Sequence, residues 1–172
     1  MATHRIDVVS DTHGYLSEEL VAALAGTELI VHAGDLCSRD DYNTLKAIAP
    51  LRMCLGNNDW NYDYGPDVKK LVRFSKWGLR FQVCHYRERI DLATCDVAIC
   101  GHTHRPFVEK ARHGRVLVMN PGSTTFPRTE QGPTIGRLMV GDHGDVESAV
   151  IVELEPKDPG EGKGRRRWAF WD

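Results

Sequence analysis

No run of this chain is apolar for long enough to cross a membrane, and its N-terminus reaches the polar Thr3-His4-Arg5 without the apolar core of a signal peptide. Membrane insertion and secretion are therefore not expected, and the sequence points to the cytoplasm. An excess of either charge is also missing, because 22 Lys and Arg against 24 Asp and Glu leave a formal charge of -2. That balance argues against a whole surface built for nucleic acid or lipid headgroups, while leaving room for a local basic patch. Cysteine is sparse and unpaired. Cys37, Cys54, Cys84, Cys95 and Cys100 are odd in number and show no paired zinc spacing, so buried reduced thiols are a simpler reading than a disulfide frame or a thiolate site. Internal repeats are lacking as well.

What is present fits one ordinary domain. A chain of 172 residues can bury a real core, and an apolar fraction of 41% with 27% charged residues is usual for a globular protein. We place the domain at residues 1–155 and a basic, aromatic tail at 156–172, which carries Lys163-Gly164-Arg165-Arg166-Arg167 and then Trp168, Phe170 and Trp171. Residues 5–10 read as a short buried strand ended by the turn-like Ser10-Asp11-Thr12-His13-Gly14. Ser17 can cap a helix with Leu20, Val21 and Leu24 on one face and Gly26 as its stop. The next strand, 28–33, runs into Gly34-Asp35. Ser38 with Asp41 opens a helix that turns Tyr42, Leu45 and Ile48 inward and closes at Pro50. Residues 51–55 form a third strand ending at Gly56-Asn57-Asn58-Asp59. This alternation implies parallel strands with helical crossovers. After a loop at 60–67, strands are predicted at 70–75 and 79–84 around Trp77-Gly78, then at 96–100, 107–111, 115–119, 134–140 and 146–154.

The chemistry sits where the apolar runs stop. Asp11 and His13, Asp35, Asn57, His85, and the pair His102 and His104 each follow a predicted strand, and loops beyond the carboxyl ends of parallel strands emerge on one edge. Carboxylate, imidazole and amide donors without a thiolate describe a hydrolytic metal site better than a structural zinc site. Seven donors are too many for one tetrahedral ion and suit two ions sharing a carboxylate.

Taken in order, Ser10-Asp11-Thr12-His13, Gly34-Asp35, Gly56-Asn57-Asn58-Asp59, Val83-Cys84-His85, Gly101-His102-Thr103-His104 and Asn120-Pro121-Gly122-Ser123 make the chain, over about residues 5–140, resemble the calcineurin-like metallophosphoesterases, in particular their small bacterial and archaeal phosphodiesterase branch. The resemblance implies an α/β fold, a four-layer αββα sandwich of two mixed β-sheets flanked by helices. It also implies that Asp11, His13 and His104 hold one divalent ion, that Asn57, His85 and His102 hold a second, and that Asp35 bridges them. The expected activity is hydrolysis of phosphodiesters, and less so phosphomonoesters, by a hydroxide bridging the two ions. Mn²⁺ is favoured, with Fe, Zn, Ni or Co accepted by the same ligands. Two departures stand out. Asn58 replaces the histidine that usually follows the metal-binding asparagine. An amide donates a hydrogen bond but is no general acid near neutrality, so Asn58 is expected to act in catalysis on diesters with good leaving groups. Tyr86 stands where glycine usually follows His85, which puts the local backbone path in question.

Other residues have plainer readings. His32 reads as a satisfied core histidine ahead of a supporting role near Asp35, and His4, His113 and His143 as surface or turn residues. Asn120 either orients a ligand or forms a turn before Pro121. Trp60, Tyr62 and Tyr64 could wall an aryl or nucleobase site, with core packing at least as good an account; Arg87, Arg89 and Arg105 are read first as solvated. The short stretch 86–94 leaves little room for a lid and implies an open site. Partners are expected to be small phosphodiester or nucleotide-type substrates and no membrane, with a homo-oligomer left open. Two rivals remain. One is a protein-binding scaffold of the retromer-subunit type, a branch in which several ligand positions are substituted. The other is a nucleic-acid-binding module led by the tail, for which a flexible tail, or one docked on its own domain or a second copy, is the favoured account.

Overall fold

The computed structural model describes residues 2–155, so the basic, aromatic tail lies outside the described residues. Its strands form two five-stranded mixed sheets. In the first, β1 (Thr3–Val9), β2 (Leu29–His32) and β3 (Leu51–Met53) run parallel, and β9 (Thr134–Gly141) and β10 (Val146–Glu153) add antiparallel beside β1. In the second, β5 (Leu79–Cys84), β6 (Val97–Ile99) and β8 (Val116–Asn120) are parallel, edged by β4 (Leu71–Lys76) and β7 (Phe107–Ala111).

Period-two alternation decides which faces meet. Ile6 and Val8 of β1, Leu29 and Val31 of β2, Phe81 and Val83 of β5, Val97 and Ile99 of β6 and Met119 of β8 share one buried cluster between the sheets. The alternate residues Val9, Ile30 and Met53 face outward, where Leu20 of α1 (Glu18–Ala23), the Leu24 that caps its C-terminus and Leu45 of α2 (Arg39–Ile48) cover them. Asp7 is also on that outer face. It is fully buried and accepts from the Arg5 and Arg137 guanidiniums, so its charge is paired.

Both helices start at the expected serines, where the Ser17 side chain accepts from the Leu20 amide and the Ser38 side chain from the Asp41 amide. The α1 face is narrower than expected. Leu20 and Leu24 are buried one turn apart, but Val21 lies a quarter-turn away and is 38% exposed. Trp77 and Gly78 both take positive φ at the β4–β5 turn, the conformation that matches the twist of two-residue hairpins.

The sandwich implied by the resemblance is present, with its fourth layer reduced. Over the outer face of the second sheet, Ile90 and Cys95 pack from the 3-10 turn η1 (Arg87–Arg89) and the loop after it, in place of a long helix. All five cysteines are free, and Cys37 alone among them is not fully buried. Among the described residues, no helix is long and apolar enough to cross a membrane.

Candidate metal centre

Parallel strands of both sheets end on the same rim. From β1 come Asp11 and His13, from β2 Asp35, from β3 Asn57 and Asn58, from β5 His85, and from β6 His102 and His104. Asp11 is at the centre. Its Oδ2 accepts from the Ser10 hydroxyl at 2.5 Å and the His102 amide at 3.0 Å. Its Oδ1 is buried without a hydrogen-bond donor among the described residues, and lies 3.2 Å from His104 Nε2 and 3.8 Å from both His13 Nε2 and His85 Nε2. Asp35 Oδ2 is 3.4 Å from His85 Nε2 and 3.8 Å from His13 Nε2, and His85 Nε2 is 3.0 Å from Asn57 Oδ1.

The imidazoles are aimed by their other nitrogens. His85 Nδ1 donates to the Ala33 carbonyl and His104 Nδ1 to the Phe126 carbonyl, each at 2.7 Å, which leaves the Nε2 lone pairs facing the carboxylates. His13 Nε2 is only 3.4 Å from His104 Nε2. So many electron-rich atoms repel one another unless a cation lies among them, and the orphaned Asp11 Oδ1 is the atom it would satisfy. Ligand atoms of Asp11, His13 and His104 lie within 4.8 Å of one another, as do those of Asp11, Asp35 and His85. The donor set therefore fits divalent metal. His102 is less closely drawn in: its side chain is exposed, and its ring packs 5.2 Å from that of His85.

Electrostatics show the same tension in protons. Burial alone would lower the His85 pKa, but its contact with Asp35 and the charges of Asp11 and Asp35 outweigh it and raise the pKa above the ordinary value. Burial works to raise Asp35 and Asp11, yet His85 and the Asn58 amide hold Asp35 far below the carboxylate range, and His104 and His85 keep Asp11 low. His13, with burial dominant, is lowered.

The backbone is unusual at the same places. Asp11, His13, Asp35, His102 and His104 have φ of 54°, 49°, 58°, 70° and 57°. Each such residue costs about 1–2 kcal/mol, with Asp and His among the types that tolerate the conformation best. The turns that aim the donors are thus held by their surroundings. Gly56 and Gly101 allow the close approach, since a Cβ on the first would overlap Asp35 and on the second Ser10.

Asp59 is a supporting residue that the motif alone does not reveal. Buried to 1% exposure, it accepts from the amides of Asp35 at 2.7 Å, Gly56 at 2.8 Å and Cys37 at 2.9 Å, and from the Tyr64 hydroxyl at 3.3 Å. It ties the loops after β2 and β3 together. The stretch after β8, which opens in the Asn120-Pro121-Gly122-Ser123 motif, is a second support. Ser123 Oγ donates to the Asp11 carbonyl and Thr125 Oγ1 to the Thr12 carbonyl, while the Phe126 ring meets His13 edge-on at 5.4 Å. Asn120 both orients the rim and forms a turn: Nδ2 donates to Gly101 O and Thr103 Oγ1, and Oδ1 accepts from Gly122 N.

His32 is a fully buried, satisfied histidine that also supports the rim. Its Nδ1 accepts from the Gly34 amide, so Nε2 carries the proton toward Thr12 Oγ1. Burial lowers its pKa to about 4. Because the unfolded histidine titrates near 6.5, protonation favours unfolding, and this contribution is present above about pH 6.5 and lost toward pH 4. The destabilisation caused by His32→Asn, read from urea unfolding with chelator present, should therefore shrink by about 2–3 kcal/mol between pH 7 and pH 4. A penalty independent of pH would contradict the assignment.

Tyr86 does not displace His85. Its φ of -98° and ψ of 120° need no glycine, and its ring packs at 4.7 Å from that of His102. Arg87 is turned to Glu109 and Phe107, Arg89 lies over the Tyr86 ring at 4.7 Å, and Arg105 is exposed. Tyr64 packs in the core against Tyr42 and Tyr62, whereas Trp60 is 84% exposed. With Asn57, Asn58 and His102 also exposed, the rim is open. His4 is a strand residue flanked by Glu28 and Asp142.

Two packed mixed sheets that bring carboxylates, imidazoles and an amide to one strand-end rim define the metallophosphoesterase class. Residues 5–143 match the calcineurin-like phosphoesterase superfamily domain, and the chain belongs to that superfamily. It is 30% identical over 156 residues to a probable metallophosphoesterase of Methanothermobacter thermautotrophicus, covering 83% of this chain and 90% of that protein. Its fold is similar to that of Yfce, a phosphoesterase from E. coli, with a TM-score of 0.62, 18% identity, and coverage of 88% and 100% of the two chains. A Vps29 from Entamoeba histolytica complexed with Zn²⁺ gives a TM-score of 0.64 at 17% identity, covering 88% of this chain and 99% of that one.

Proposed function

We propose that the protein is a dinuclear-metal phosphodiesterase, with phosphomonoesters as poorer substrates. The observation that carries this reading is the orphaned, buried Asp11 Oδ1 facing the Nε2 atoms of His104, His13 and His85. Asp11, His13 and His104 would hold the first ion and Asn57, His85 and His102 the second, with Asp35, which faces both His13 and His85, available to both. Bound there, the pair would act as Lewis acids on the phosphoryl group and lower the pKa of bound water toward about 7. Mn²⁺ suits an oxygen and imidazole set of this kind, and the Zn²⁺ complex of a fold relative supports a site that also accepts zinc.

The remaining work belongs to the chain. Two divalent ions less two carboxylates leave about two positive charges, enough for one nucleophilic anion and one diester anion. Asn58 donates through its backbone amide to Asp35 Oδ1 and through Nδ2 to Asp35 Oδ2, both at 2.8 Å, which fixes the bridging carboxylate. The other Nδ2 proton is left to donate to a phosphoryl oxygen. Since an amide cannot protonate the departing oxygen, selection favours diesters whose alcohol leaves as an anion. The complete donor set supports an enzyme over a scaffold of the Vps29 kind. The free thiols support a reducing, cytoplasmic setting.

The direct test is hydrolysis of bis-nitrophenyl phosphate and nitrophenyl phosphate over Mn²⁺, Fe²⁺, Co²⁺, Ni²⁺ and Zn²⁺. Diester turnover is expected to exceed monoester turnover with at least one metal. No turnover with any of them would refute the proposal.

A further inference from the structure

Beside the metal rim lies a cleft of about 420 Å³ that shares Gly56 and Asn57 with it. Leu55, Trp60, Tyr62, Lys70, Tyr86 and Arg89 line this cleft. Its volume is within the range of small-molecule sites. Apolar aromatic surface and positive charge occur together here. Trp60 is held out at 84% exposure, which leaves its indole faces open to a ligand. Tyr62 is braced in parallel stacking against Tyr64 at 5.7 Å. Arg89 lies over the Tyr86 ring at 4.7 Å, and that ring in turn meets that of His102. A guanidinium offers a planar face for stacking as well as charge.

The carboxylate that lines the cleft offsets that charge only in part and is buried behind it. Asp59 has both oxygens engaged, Oδ2 by the Asp35 and Gly56 amides and Oδ1 by the Cys37 amide and the Tyr64 hydroxyl. Two exposed cations, Lys70 and Arg89, against this one buried carboxylate make the sign of the cleft positive. A ligand complementary to it carries a flat aromatic ring, a polar body and negative charge. A lipid chain would gain little from the cations, and a simple alkyl ester little from the rings.

We propose that this cleft receives the nucleoside of a nucleotide phosphodiester, with its base against Trp60 and Tyr62 and its anionic phosphate at the metal rim, drawn there by the neighbouring Lys70 and Arg89. The inference rests on the phosphodiesterase reading for the last of these placements. Stacking on an aromatic side chain commonly changes affinity by roughly tenfold or more per base.

Two measurements on the full chain test it. The first is calorimetric binding of adenosine 5′-monophosphate and ribose 5-phosphate, with Mn²⁺ and again with chelator. The second is steady-state hydrolysis of thymidine 5′-nitrophenyl phosphate and methyl nitrophenyl phosphate, which release the same leaving group. The base-bearing ligand is expected to bind about tenfold more tightly, and the nucleoside diester to show a KM about tenfold lower. Trp60→Ala should collapse both preferences toward one, whereas Arg89→Ala should weaken both members of each pair alike and leave the preferences in place. Equal binding of the two monophosphates, or a Trp60→Ala effect identical for both members of each pair, overturns the proposal. If a Trp60-dependent base preference persists in binding while no diester is hydrolysed, the cleft stands and the phosphodiesterase reading falls. Diester hydrolysis with no base preference removes the nucleoside cleft and leaves the phosphodiesterase reading standing.

Discussion

Replacing Asp35 by Asn is expected to cut diester hydrolysis by about a thousandfold or more, equivalent to about 4 kcal/mol of transition-state stabilisation, with the fold retained. The expectation combines charge and backbone. One of the two carboxylates that offset the cations is lost, and with it the contact at 3.4 Å that helps raise the His85 pKa. The backbone should not move, because Asn tolerates the positive φ of 58° at this position as well as Asp does. One amide hydrogen bond from Asn58 survives on the remaining oxygen. The His85 pKa, followed by NMR in the metal-free chain, should fall in the variant. An unaltered rate would mean that Asp35 is not part of the machinery.

The largest effect on stability is expected from Asp59→Ala. Three backbone amides, those of Asp35, Cys37 and Gly56, lose a charged acceptor in a buried setting, and the Tyr64 hydroxyl loses its partner. Hydrogen bonds to charged groups contribute about 1.5–3 kcal/mol each, and abandoned buried donors carry their own desolvation cost. Allowing for water entering the gap, a loss of about 3–5 kcal/mol in chemical denaturation is expected. The substitution should also weaken Mn²⁺ binding, because the β2 and β3 loops that carry Asp35 and Asn57 are no longer joined. Asp59→Asn keeps one acceptor oxygen and should fall between the two. A variant as stable as the wild type would show that the loops hold their shape without this carboxylate.

Much of this architecture is legible before any coordinates. Ser17 and Ser38 mark helix starts, alternation in 5–10 and 79–84 marks strands, and the donors stand where apolar runs stop, since a chain leaving a buried parallel strand must surface at its carboxyl end. Other features are set by contacts distant in sequence. Asp59 looks like a turn residue until the loop at Asp35 is placed against it, and Phe126 has no local pattern that foretells its carbonyl meeting His104. The positive φ values at Asp11, His13, Asp35, His102 and His104 are likewise invisible in residue types that adopt many conformations. Tyr86 shows the converse. A departure from the usual glycine looks disruptive in the motif, yet its extended backbone accepts the side chain, whose ring packs beside His102. Val21 falls on the inward side only by a periodicity too coarse to separate adjacent residues on a helix of six residues.

The central claim is that donors from both sheets hold a pair of cations, and crystallographic anomalous scattering from Mn²⁺-loaded protein tests it most directly. Two peaks are expected, one among Asp11, His13 and His104 and one among Asn57, His85 and His102, with Asp35 touching both. A single peak, or full loading with Mn²⁺ that leaves the rim without any, would contradict it.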